Sequence, residues 1–307
     1  KIIPQSGTTL TVGDSGDTIT IPSGATLSNS GTTTIAGNLS VDGGTIKLDG
    51  NYPTGTNNVA LGNTALDSGS LSGASNTAIG ACSLTTNTSG CRNTALGFES
   101  LKANTEGVNN IASGFNSMLL NTTGSRNSAY GYSALGSNTT GNCNTAVGCG
   151  SLGGNTTAAH NTAVGFDSLK ANTTGTPNVA VGKDALKANT TGTCNSAVGS
   201  GSLAANTTGC ENTSMGQQAL TCNTTGEFNS AFGRGALLCN TTGHSNTGIG
   251  RYSLYENTTG CQNVGVGYHS LICNTTGCRN VAIGELSLAA NTTGCSNVSV
   301  GRKNMTS

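Results

Sequence analysis

Tryptophan is absent from the chain, aromatic residues make up 4 % of it, and charged residues only 8 %, with 13 basic against 13 acidic side chains. Without a basic field there is nothing to hold a nucleic-acid backbone. No run approaches the ~18 apolar residues of a helical membrane span. Large apolar side chains are also scarce, a composition that fits disorder unless something else orders the chain. No signal peptide is visible, and the chain begins at Lys1 rather than Met, as expected of a processed or trimmed piece.

What the chain has in abundance is glycine, 47 residues, together with Asn, Thr and Ser, and these recur with a strict period. Asn stands at 76, 93, 110, 127, 144, 161, 178, 195, 212, 229, 246, 263, 280 and 297, a step of seventeen throughout; Asn58 precedes Asn76 by eighteen. The unit reads N-T-A-V-G-x-x-S-L-x-x-N-T-T-G-x-x, and its positions are called places one to seventeen below. Place five is Gly in every copy, Gly165 and Gly182 among them, as a bend or a close backbone approach requires. Place three is Ala, replaced only by Ser214, Ser299, Gly248 and Gly265. Place four is mostly branched or large and apolar, and place nine is nearly always Leu, as in Leu203 and Leu237. Places twelve to fifteen form an Asn-Thr-Thr-Gly turn.

Glycine and the N-T-T-G turn recur too often for any helix to reach ~10 residues. Each unit is read as two short strands and a turn, and stacking the units solves the pairing problem, with like places ~4.8 Å apart. The predicted fold is an all-β, repetitive parallel β-solenoid (a β-roll or β-helix) with seventeen-residue rungs over 58–307. Its stack would be roughly 65–70 Å long on that spacing. Residues 1–57 alternate differently (T-L-T-V at 9–12, T-I-T-I at 18–21, L-S-V at 39–41, I-K-L at 46–48) and read as an irregular N-terminal β shaft or attachment segment. The core of one rung is thin, one Leu, one branched residue and one Ala, which leaves little margin against chain entropy. The restriction of place three to the smallest residues implies another backbone close by. A neighbouring chain in a parallel homotrimer is the expected occupant, and the opposite wall of a narrow solenoid is the alternative.

The twelve Cys are many for a chain with no metal signature. Place sixteen holds Cys210, Cys261, Cys278 and Cys295, and place eleven holds Cys222, Cys239 and Cys273, so several stack in neighbouring rungs and are expected to form disulfides within or between chains. Free thiols filling surface slots are the alternative. There is no C-x-x-C pair, and His160, His244 and His269 occupy different places, so neither a metal nor any other cofactor is expected. Acidic residues do not recur as pairs, and no nucleophile elbow, phosphate loop or HExxH helix occurs. No catalytic residues are assigned, and the chain is expected not to be an enzyme.

Place twelve opens an N-x-S/T sequon at Asn121, Asn138, Asn155, Asn172, Asn189, Asn206, Asn223, Asn240, Asn257, Asn274 and Asn291. One reading is a turn whose Asn and Thr bond up and down the stack. The other is a column of glycans. Ordered Thr for ice binding is a third, disfavoured because the two Thr are adjacent and point to opposite sides.

The unit N-T-A-V-G-x-x-S, as at 161–168, resembles the N-S-V-A-I-G-x-x-S head repeat of trimeric autotransporter adhesins, with one residue fewer between Asn and Ala. Runs of N-T-A-V-G…L…N-T-T-G and the segment at 16–31 are similar to phage and large-virus tail-fibre sequences. The resemblance implies an extracellular structural fibre or adhesin subunit, on a virion tail or cell surface, that binds its own copies and a cell-surface glycan or protein receptor. A secreted, self-assembling end-to-end filament, with or without glycans, is the alternative, and a tailspike scaffold for an enzyme elsewhere is a further one.

Overall fold

A computed structural model describes residues 56–305. They belong to a unit spanning Leu48–Ser307, and the expected shaft of 1–57, apart from its last two residues, lies outside the described residues. Fifteen three-residue strands, β1 (Val59–Leu61) to β15 (Val298–Val300), form one all-parallel sheet in strict sequence order. Each strand is places two to four of a rung, paired in register with its own copies, as in Thr145↔Thr162↔Val179. The first step is one residue longer, Val59 pairing with Thr77, so the insertion after Asn58 is absorbed in the turn and not in the sheet.

The second strand expected in each rung is absent. Places six to eleven form a turn in which places seven and nine take left-handed backbone; Leu203 and Leu237 have φ of 50° and 52°. That conformation costs a side-chain-bearing residue about 1–2 kcal/mol. It is offset here because it turns each Leu straight into the interior, where both are fully buried, worth about 1.5–3 kcal/mol each. The backbone outside the sheet is still hydrogen-bonded rung to rung: Leu203 N–H donates to Ala219 O (3.0 Å) and Thr190 N–H to Thr207 O (2.9 Å).

Glycine at place five has φ near +130°, and a Cβ on Gly165 would lie 2.6 Å from the carbonyl oxygen of Gly182 in the next rung. Gly182 meets Gly199 in the same way, at 2.7 Å. The backbones at this corner are too close for any side chain.

Places one, three, eight, nine, twelve and fifteen face inward. Ala163, Ala180 and Ala197 at place three are fully enclosed within the single chain. A Cβ at Gly248, which takes the same place, would sit 3.4 Å from Leu237 Cγ of the preceding rung and 3.4 Å from Ser253 O of its own. The close backbone implied by the small residues is therefore the opposite wall of the same narrow solenoid, which corrects the expectation that place three meets a neighbouring chain. Two columns of Asn flank this apolar strip. Asn195 at place one accepts the N–H of Asn212 at Oδ1 (3.0 Å), and its Nδ2 donates to Gly209 O (2.8 Å). Asn206 at place twelve donates from Nδ2 to Asn189 Oδ1 (2.8 Å) and to Gly209 O (2.9 Å). Interior amides are tolerable only when so paired.

Candidate functional site: the outer faces of the solenoid

With six places inward, function falls to the side chains that face out. The sequons do not reach the surface. Asn121, Asn138, Asn155, Asn172, Asn189, Asn206, Asn223, Asn240, Asn257 and Asn274 are all fully buried, with Nδ2 engaged by the Asn of the preceding rung and by the place-fifteen carbonyl of the same turn, a Gly in each case but Ala158 for Asn155. Asn291 in the last turn is half-buried and its Nδ2 makes the same two bonds. A glycan needs that nitrogen free and exposed, so the glycan column does not fit the folded stack. The Thr at place thirteen runs its own ladder, Thr207 Oγ1 to Thr224 O at 3.1 Å.

All twelve cysteines are free thiols, in contrast to the expected disulfides. Cys261, Cys278 and Cys295 do stack, but each sulfur is turned along the backbone and not toward the next sulfur. Cys278 Sγ accepts the N–H of Cys261 (3.2 Å) and donates to Thr276 O (3.4 Å), and Cys295 Sγ accepts the N–H of Cys278 (3.1 Å). Cys210 Sγ likewise bridges Thr193 and Thr208. At place eleven, burial pushes the Cys239 and Cys273 thiols above their ordinary range; the Cys222 sulfur and the Glu256 carboxylate add to the effect at Cys239, and Glu256 at Cys273.

The sheet has two outward side chains per strand, places two and four. Across fifteen strands that makes thirty positions, and none is charged. Place two is Thr, Ser, Val or Ile throughout. Place four forms a column that is apolar except for Ser113, in which Leu61, Leu96, Tyr130, Met215 and Ile249 are each exposed. Every Asp, Glu, Lys and Arg of the described residues lies instead at places six, seven, ten, eleven, fourteen, sixteen and seventeen. There the ions pair locally: Lys102 with Glu99 (2.6 Å), Lys170 with Asp167 (3.0 Å), Lys187 with Asp184 (2.9 Å) and Arg302 with Glu285 (3.0 Å). Lys187 holds the Asp184 carboxyl below its usual range.

Place six also carries rings. Phe98, Phe115 and Tyr132 stack in successive rungs with centroids 5.3 and 5.5 Å apart. Farther along, Tyr252, Tyr255, Tyr268 and His269 cluster under Arg251, whose guanidinium lies 4.8 Å from the Tyr252 ring. His269 Nε2 is buried there without a partner, and burial, then the Arg251 charge, hold this imidazole below its ordinary range.

Among the described residues no helix is long and apolar enough to cross a membrane, and no three His, Cys, Asp or Glu side chains converge as metal ligands. The fold and these faces define a tandem-repeat β-solenoid with a seventeen-residue rung. No known protein family, curated protein or solved structure matches the chain.

Proposed function

We propose that the chain is a structural rod of an extracellular fibre or adhesin, on a virion or a cell, and that copies of it associate side by side through the uncharged outer sheet. The observation that supports this is the absence of charge from all thirty outward strand positions, beside flanks that carry every ion of the described residues. A soluble rod that met only water on this face would be expected to use Lys or Glu there, as edge and surface strands commonly do. A strip roughly 10 Å wide and roughly 65–70 Å long offers on the order of 700 Å², close to the ~800 Å² per partner of a standard interface. Identical rungs solve such an interface once and repeat it along the stack.

The neutralisation of Glu99, Asp167, Asp184 and Glu285 by neighbouring Lys102, Lys170, Lys187 and Arg302 supports a non-catalytic reading. Sedimentation equilibrium is the test. The parent is expected to be oligomeric at micromolar concentration. Val147→Lys combined with Val198→Lys should release folded monomers, while Thr208→Lys at exposed place fourteen should leave the assembly intact. A stable, compact monomer of the parent would overturn the proposal.

A further inference from the structure

Places six, seven, ten and eleven normally carry side chains that stack on their copies in the next rung. The rung of 144–160 breaks this column: places seven, ten and eleven are Gly150, Gly153 and Gly154, and place six is Cys149. The missing side chains open a notch within a groove of about 920 Å³ that runs from Asn116 to Ala204. One wall is Tyr132. Its ring is stacked on Phe115 on one side, with planes 5° apart, so its other face looks onto the empty rung. The facing wall is Phe166, two rungs from Tyr132 in the same column. The rings are 57 % and 49 % exposed. Neighbouring rings in this column stand 5.3–5.5 Å apart, so a column that skips one rung leaves space for one further ring.

The rim of the notch is polar. Asp167 is 5 % exposed, and its carboxylate lies 3.0 Å from Lys170 Nζ and 3.4 Å from Lys187 Nζ. Asn116 lines the same groove two rungs before the glycine rung.

We propose that the notch binds one pyranose ring of a saccharide, seated between Tyr132 and Phe166, with its hydroxyl rim directed at Asp167, Lys170 and Lys187. A pyranose has two C–H faces that lie against aromatic rings and a girdle of hydroxyls that both donate and accept. Its puckered chair fills a gap of about twice the observed ring step better than a flat base or phenol. An aromatic peptide side chain would use the two rings and leave the rim idle. This inference deepens the attachment part of the proposed function by naming a ligand class. It stands on the notch alone, which lies on places six to eleven and not on the sheet face, so the failure of either proposal leaves the other intact.

The test is calorimetric titration of the full chain with methyl glucopyranoside and methyl glucuronide, with p-cresol and adenosine as competitors of other chemistry. Saturable binding of at least one glycoside is expected. Cys149→Phe continues the ring column and fills the notch, so it should weaken that binding at least tenfold with an unchanged thermal melt. Tyr132→Ala should weaken it as well, and Tyr255→Ala, on a different patch, should not. The proposal is overturned by any of three results: no glycoside binding at tens of millimolar, glycoside binding that survives Cys149→Phe, or binding of p-cresol or adenosine in place of both glycosides.

Discussion

Asn206 shows how much of this protein rests on single amides. It is fully buried, and its two N–H groups go to Asn189 Oδ1 and Gly209 O. Aspartate has the same shape and no donor, so Asn206→Asp would bring three oxygens together and bury a charge. A loss of roughly 3–5 kcal/mol is expected, against less than about 0.5 kcal/mol for Thr208→Asp on the exposed side of the same turn. Native-state hydrogen exchange of the amides around 189–226 reads this directly, and equal protection in the two variants would contradict the account. His269 gives a pH dependence whose sign follows from its surroundings. Its folded pKa lies below the ~6.5 of the unfolded chain, chiefly through burial. Between the two values the unfolded chain binds a proton that the folded chain does not, so this contribution to stability is whole above about 6.5 and is lost as pH falls through the folded value. Melting temperature should therefore drop from pH 7.5 to pH 5.5, and less so in His269→Gln. An identical drop in both would show that His269 is not the group responsible.

The element of this fold is the rung, and its two sides differ in how plainly the sequence announces them. Small place three and Gly at place five are readable because each recurs in every copy, and Leu at place nine because it recurs in nearly all, Met118 being an exception. The inward place-twelve Asn was harder, since an N-x-T turn ordinarily signals surface. The telling case is Asn104-Thr105-Glu106, which loses the sequon and keeps the Asn, still fully buried. The left-handed Leu at place nine had no sequence signal, because Leu is a residue that local preference keeps out of that conformation. The missing second strand goes with the two left-handed positions of that turn, places seven and nine. Which wall faced place three was equally undecidable from one chain's pattern, since a partner and an opposite wall demand the same small residue. The cysteines are a rung-level matter too: their sulfurs bond along the backbone within the stack. The intact mass without reductant should correspond to free thiols. Native-state alkylation should reach exposed Cys149, Cys194 and Cys295 before Cys239 and Cys273, whose thiolates are disfavoured by burial. Early labelling of Cys239 would count against the burial assigned to it.

At the scale of the whole solenoid, stability is a sum over neighbours, because each strand contacts only the strands before and after it. Long-range order needs no distant contact to close, and the interior Asn columns keep the register: a slip by one residue would place Thr or a charged side chain where an amide must bond. The uncharged sheet and the ion-bearing flanks then run the full length as separate lanes, so what happens on one lane, association or ligand binding, is insulated from the other. The step between Asn58 and Asn76 adds a consequence of a different kind. An extra residue there leaves Val59 paired with Thr77. Because every interior rung offers its successor the same pairing edge, an in-frame duplication or loss of one repeat in the coding sequence would join compatible faces and yield a longer or shorter solenoid. Reach is then a trait that recombination between repeats can adjust in one step, without passing through a misfolded ancestor.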